Sequence, residues 1–178
     1  MTTVYHVVTE RPMALGQKIL MDENHPNGVC RRVRAWEKYY QGLPAETEID
    51  ALIASNPARW KQVALRELAM EQIRREQFPA LPSRLACLYT SRTLEQAQTW
   101  ADFFQKVGRK VYSIVLLEVD GPVFDADACN CFDGTGEPTD LENALRYWQI
   151  APTEQPVIET LAGGTLTVKE ILETFITE

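Results

Sequence analysis

Pro156-Val157-Ile158-Glu159-Thr160-Leu161, continued by Ala162-Gly163-Gly164-Thr165-Leu166-Thr167-Val168, reads as two strands around a glycine pair. The β-branched residues of both arms predict extended chain over 156–161 and 164–168. Gly163-Gly164 predicts a hairpin turn between them. Glu159 breaks the pattern. A carboxylate inside an apolar strand either points to solvent or has a task. Beyond Val168 a short closing helix is expected over about 169–176.

Upstream, Lys110–Val119 is the strongest strand, and Asp120-Gly121-Pro122 turns it into a short strand over 122–125. A polar loop over 126–139 precedes a helix near 140–148. Residues 85–90 predict a buried strand. The helix over 94–107 starts at Thr93, with Gln96 completing a capping box, and stops at Gly108. The chain begins with a strand over 3–8 and a loop over 22–28. Helices are then expected at 31–41, 46–54 and 57–77. In the last, Trp60, Ala64, Leu68 and Met70 or Ile73 form the inner face, with Lys61, Arg66, Glu67, Arg74 and Glu76 elsewhere. Strands at both ends and in the middle, without regular strand–helix alternation, predict an α+β fold. One domain over 1–178 is expected, with its helical segment at about 31–77.

Composition narrows the function classes. The 178 residues are 45% hydrophobic and 24% charged, as in an ordinary globular chain. Acidic residues outnumber basic ones 25 to 18, giving a net charge of −7. That charge repels phosphate backbones, so general nucleic-acid binding is not expected. Arg31, Arg32 and Arg34, and the pair Arg74-Arg75, read as solvated helix faces. Runs such as Ile114–Leu117 are too short to cross a bilayer, so no membrane partner is expected. Met1–His6 lacks a basic start and a long apolar stretch. The expected location is the cytoplasm, or another cell reached without a classical signal peptide. The four cysteines form no disulfide framework or zinc spacing, and His6 and His25 are the two histidines. No metal site is expected. Dinucleotide-fold, phosphate-loop and nucleophile-elbow glycine patterns do not occur.

Three segments carry a resemblance: Tyr5-His6 on the first strand; Tyr89-Thr90-Ser91, followed by a helix with Ala97 and Trp100-Ala101; and the late strand with Glu159. Together they resemble the His–Tyr–Glu form of the ADP-ribosyltransferase fold. The chain is also similar, over most of its length, to a bacterial family of uncharacterised proteins thought to share that fold. That likeness rests on Tyr5-His6-Val7-Val8, on Pro82-Ser83-Arg84-Leu85-Ala86-Cys87-Leu88-Tyr89, and on Tyr147-Trp148.

The resemblance implies a split β-sandwich core with NAD in a cleft between two small sheets. His6 would bond the adenosine ribose, since an imidazole offers one donor and one acceptor. Tyr89 would pack on the nicotinamide ring, with Thr90 and Ser91 lining the same pocket, and Arg11 would meet the pyrophosphate. Glu159 would hold the nicotinamide ribose as the catalytic carboxylate. Glu142 competes for that role, but a Thr139–Glu142 capping box would account for it. Val157 stands where many relatives carry a second acidic or amide residue, so transfer to arginine is not expected. The implied activity is NAD-dependent mono-ADP-ribosyl transfer to an unidentified acceptor such as a protein, in a toxin, effector or housekeeping role. Two alternatives stay open: a non-catalytic module that binds NAD or ADP-ribose, and an interaction protein using its helical half. The residues also have plainer readings. His6 fits a strand histidine bonded to a carbonyl, Tyr89 a core tyrosine, Thr90 and Ser91 structural groups, and Arg11 a surface arginine.

Overall fold

A computed structural model describes residues 1–176. The elements run β1 (Thr2–Val8), β2 (Lys18–Met21), α1 (Gly28–Tyr40), α2 (Glu48–Ser55), α3 (Pro57–Gln77), β3 (Leu88–Thr90), α4 (Leu94–Lys106), β4 (Ser113–Asp120), β5 (Val123–Asp127), α5 (Thr139–Trp148), β6 (Ile158–Ala162) and β7 (Gly164–Thr174). Two antiparallel sheets form, ordered β1-β4-β7-β2 and β3-β6-β5. The architecture is α+β, as the element order predicts. The sheets meet where Tyr5 and Ser91 exchange two backbone hydrogen bonds of 2.8 Å.

Local rules explain most starts and stops. Asn56 caps α3 by accepting from the Arg59 N–H, and Pro57 occupies the first turn. Thr47 and Asp50 form a full capping box on α2. Lys38 beside Asp50, helped by the Glu46 and Thr47 N–H groups, holds that carboxyl down at about 2. Thr93 caps α4, but Gln96 reaches the Arg92 N–H and not that of Thr93, so the expected box is half formed.

The core lies in layers. The start of β4 is covered on both faces. Ile114 packs with Val7, Ala97 and Ala101 under α4, while Val115, Leu117 and Val119 pack with Val4, Leu166 and Val168 towards the smaller sheet. The smaller sheet gives Ala162, Leu88 and Val123 to that contact. Its other face, with Leu161, Ala126, Tyr89 and Phe124, packs on Met70, Ile73, Ala144 and Trp148 of α3 and α5. A second helical core joins α1, α2 and α3 through Val33, Trp36, Ile53 and Ala64.

Three sequence expectations are corrected. Residues 164–174 form one long strand, not a strand followed by a helix over 169–176. β7 pairs with β4 from Thr165↔Asp120 to Thr174↔Ser113, across two register shifts. Pairing with the most apolar strand overrides the local helical pattern. Gly163-Gly164 is not a hairpin turn, because β6 and β7 belong to different sheets. Strand β2 falls in a stretch for which no strand was expected, and β3 is confined to Leu88–Thr90 within the expected 85–90.

Asp120-Gly121-Pro122 also crosses between the sheets, and the two crossings lie back to back. A Cβ on Gly164, which has φ +83°, would lie 2.4 Å from the Asp120 carbonyl oxygen. Gly164→Ala is therefore expected to cost more than about 1 kcal/mol in urea unfolding, through strain and overlap together. An unchanged unfolding midpoint would contradict this account of the crossing.

Candidate functional site

α3 turns an unexpected face inward. Glu67, Glu71 and Arg74 recur at helical spacing and are all buried, although Glu67 and Arg74 were expected off the inner face. The segment after α3 folds back over this face and supplies the counter-charges and donors. Arg74 pairs with Glu71 at 2.8 Å, and the Ser83 hydroxyl donates to Glu71 at 2.7 Å. Arg84 grips Glu67 with two bonds, from Nε at 2.8 Å and Nη2 at 3.1 Å. Arg66 adds a bond of 3.1 Å to the same carboxylate.

The remaining edge of Arg84 reaches the smaller sheet. Its Nη1 donates to the Tyr147 hydroxyl of α5 at 2.6 Å and to Glu159 Oε1 of β6. The Tyr147 hydroxyl donates to the same Glu159 oxygen at 2.7 Å. Tyr89 donates its hydroxyl to the Arg84 carbonyl at 2.9 Å. The guanidinium lies 5.3 Å from the centroid of Tyr89 and 4.9 Å from that of Tyr147, so it covers one face of each ring.

Burial opposes the Arg84 charge, but Glu67, the two tyrosines and Glu159 outweigh it and raise its pKa. Burial likewise works against the Glu67 carboxylate, yet Arg84 and Arg66 hold its pKa below the ordinary value. Burial pushes the Tyr147 and Tyr89 phenols well above 10, against the pull of Arg84, so both keep their protons. Burial also raises the Cys87 thiol strongly and the Cys131 thiol to about 11, which leaves neither a ready nucleophile.

The expected site residues are found as follows. The His6 ring bonds through Nδ1 to the Tyr89 carbonyl at 2.9 Å. A carbonyl only accepts, so Nδ1 carries the proton and the neutral ring offers Nε2 as an acceptor. His6 therefore joins Tyr89 through the main chain, and Tyr89 joins Glu159 through Arg84. Tyr89 and Glu159 face the side of α3 and α5. Glu159 is not in bulk solvent, with 12% of its side chain exposed. Thr90 is buried, and its hydroxyl ties β3 to the Thr160 carbonyl at 2.8 Å; Ser91 is buried in the bridge to Tyr5. Arg11 is exposed in the loop after β1. The cation acting on His6 is instead Arg109, which donates to Thr9 at 3.0 Å and lies near Arg32.

Glu142 is exposed on α5, and the expected capping box does not form. Asp140 takes over that end by accepting from the Thr135 N–H and hydroxyl and the Gly136 N–H. All four cysteines are unbridged. Among the described residues no cluster of three or more His, Cys, Asp or Glu could hold a metal. Among them, too, no helix is long and apolar enough to cross a membrane. A shallow cavity of about 180 Å³, bordered by Cys30, Arg34, Glu71, Arg75 and Ser83, lies apart from His6, Tyr89 and Glu159.

Glu67, Arg84 and Tyr147 escaped sequence reasoning as site residues. Arg84 and Tyr147 stand in the segments that carry the family likeness, but nothing local gave them a task. Acidic and basic residues at i, i+4 and i+7 along 67–74 were the available signal.

The fold and site together define a mixed α+β protein with a buried, arginine-centred carboxylate cluster against the smaller of two antiparallel sheets. The family model described as protein of unknown function DUF2441 matches residues 4–174, and the chain belongs to that family. No curated protein matches it.

Burial holds the His6 pKa below its ordinary 6.5, against the opposing effect of the Tyr89 carbonyl. The unfolded chain binds this proton near 6.5, and the folded chain only at lower pH. The stability due to neutral His6 is thus complete above pH 6.5 and declines as pH falls towards the folded value. In urea unfolding from about pH 7.5 to 5, wild type is expected to lose more stability than His6→Asn, whose amide keeps a donor for the carbonyl. A difference between the two that stays constant across this range would contradict the assignment.

Proposed function

We propose that the chain is an NAD-dependent mono-ADP-ribosyltransferase with a split-sandwich core, acting on an acceptor such as a protein. The observation that carries this reading is that one chain of hydrogen bonds joins His6, Tyr89 and Glu159 from the first, middle and late parts of the chain, with Tyr89 and Glu159 on the α3–α5 face of the smaller sheet: His6 to the Tyr89 carbonyl, Tyr89 to the Arg84 carbonyl, and Arg84 to Glu159. Nothing in simple strand packing requires a carboxylate there. Both hydrogen bonds to Glu159 among the described residues fall on Oε1. Oε2 is then the oxygen a ribose hydroxyl would meet. His6 Nε2 suits a second ribose hydroxyl as an acceptor. The outer face of Tyr89 would take the nicotinamide.

In the proposed reaction the bond between nicotinamide and ribose breaks, nicotinamide leaves with the bonding electron pair, and positive charge develops on the ribose. The Glu159 carboxylate stabilises that charge in a site shielded from water. A nucleophile on the acceptor then bonds to the ribose carbon and loses its proton.

A second reading has its own support. Arg84 partly neutralises Glu159, which favours a module that binds NAD without turning it over. The test is melting temperature against NAD concentration, together with release of nicotinamide from labelled NAD in buffer and in cell lysate. NAD is expected to raise the melting temperature by mass action. Tyr89→Ala and His6→Ala are expected to weaken that shift. Glu159→Gln is expected to keep much of the shift while release falls about a hundredfold or more. Binding without release in either medium would favour the second reading, and the absence of any shift or release would overturn both.

A further inference from the structure

We infer that Tyr147 is a positioning residue, orienting the Glu159 carboxylate so that one oxygen is held inward and the other is presented to the ribose. The inference rests on the reading of Glu159 as the carboxylate that holds the nicotinamide ribose.

The polarity of the contact is unambiguous. A phenol has one proton, and an arginine can only donate. Arg84 Nη1 donates to the Tyr147 oxygen at 2.6 Å, so the hydroxyl proton is free to point at Glu159 Oε1, 2.7 Å away. Arg84 Nη1 also reaches that oxygen directly. Arg84, Tyr147 and Glu159 thus close a three-membered ring of hydrogen bonds with Oε1 as its acceptor. A carboxylate with one oxygen fixed in this way cannot turn about its terminal bond without breaking two charge-assisted bonds.

Tyr147 is itself fixed. It is fully buried, with Trp148 edge-on at 5.0 Å and the Arg84 guanidinium over its ring. Trp148 Nε1 donates to the Met70 carbonyl at 2.8 Å, which ties α5 to α3. The hydroxyl is therefore delivered by a rigid helix–helix contact, as precise positioning requires. A core tyrosine needs one partner for its hydroxyl. This one accepts from the buried cation and donates to the one carboxylate of β6.

The experiment compares wild type, Tyr147→Phe and Ile53→Ala. Nicotinamide release is measured as kcat and KM for NAD, melting temperatures are recorded, and the crystal structure of Tyr147→Phe is solved beside that of wild type. Tyr147→Phe is expected to lower kcat about tenfold or more while KM changes little, because the lost bond is to a charged group that acts on the developing cation. In its crystal structure the Glu159 carboxylate is expected to rotate or to occupy two orientations. Ile53→Ala, in the separate core of α1, α2 and α3, is expected to lower the melting temperature while leaving kcat near the wild-type value. Equal losses of kcat in the two variants in proportion to stability, or an unmoved carboxylate in Tyr147→Phe, would overturn the inference. If wild type releases no nicotinamide, the transferase reading fails by itself, and the carboxylate orientation in the two crystal structures still decides whether Tyr147 positions Glu159.

Discussion

The buried guanidinium of Arg84 is the constraint around which the helices and the smaller sheet arrange themselves. It is 5% exposed and meets Glu67 of α3, Tyr147 of α5 and Glu159 of β6. Its carbonyl accepts from Tyr89 of β3 and, at 2.7 Å, from the Asn27 side chain that also caps α1. Four elements and a helix start converge on one residue. Arginine suits the position because its planar fork satisfies several acceptors at fixed angles and does not lose its proton.

Such an arrangement is not justified by stability alone. Taking ions out of water costs several kcal/mol per ion, and well-packed apolar residues often serve a core as well or better. Removing one partner is another matter, because it strands a buried charge at a cost of about 3–5 kcal/mol. A network of this kind fixes the orientation of the groups that it joins. Glu67, reinforced by Arg66, anchors the cation at the back; Glu159 receives what the front edge of the guanidinium offers. Two positive groups, Arg66 and Arg84, and two negative groups, Glu67 and Glu159, balance within the cluster. α3 and α5 thus set the geometry of a strand carboxylate.

What local chemistry dictates was legible in the sequence. The helix over 57–77 is bounded by Asn56, Pro57 and Pro79, and the helix over 94–107 by Thr93 and Gly108; both lie where their caps and breakers predict. The strand at 113–120 follows from an apolar run; its first residues are buried on two faces, and from Val115 on buried residues alternate with more exposed ones. The misreadings share a cause, which is long-range pairing. Residues 169–174 carry a helical pattern but lie along β4. Gly163-Gly164 has hairpin composition but carries the chain from one sheet to the other. The site was legible only in its outline. His6, Tyr89 and Glu159 could be picked as residues out of place in their segments or matched to a pattern. The residues that join them could not, because Arg84 lies in irregular chain, Tyr147 looks like an ordinary core aromatic, and Glu67 sits in a helix where charged residues are common. Arg11 was chosen for its nearness in sequence to His6, and its side chain is exposed in the loop after β1.

The central claim is that Arg84 couples the helical layer to the site carboxylate. Glu67 and Glu159 have no hydrogen bond or ion pair with each other among the described residues and share Arg84 as their partner. A double-mutant cycle on folding stability with Glu67→Gln, Glu159→Gln and the double variant, measured by urea unfolding at neutral pH, tests that coupling. The account predicts that the two losses fail to add by more than about 0.5 kcal/mol, because each substitution changes the guanidinium on which the other acts. Additivity within about 0.3 kcal/mol would contradict it and reduce the cluster to two independent contacts.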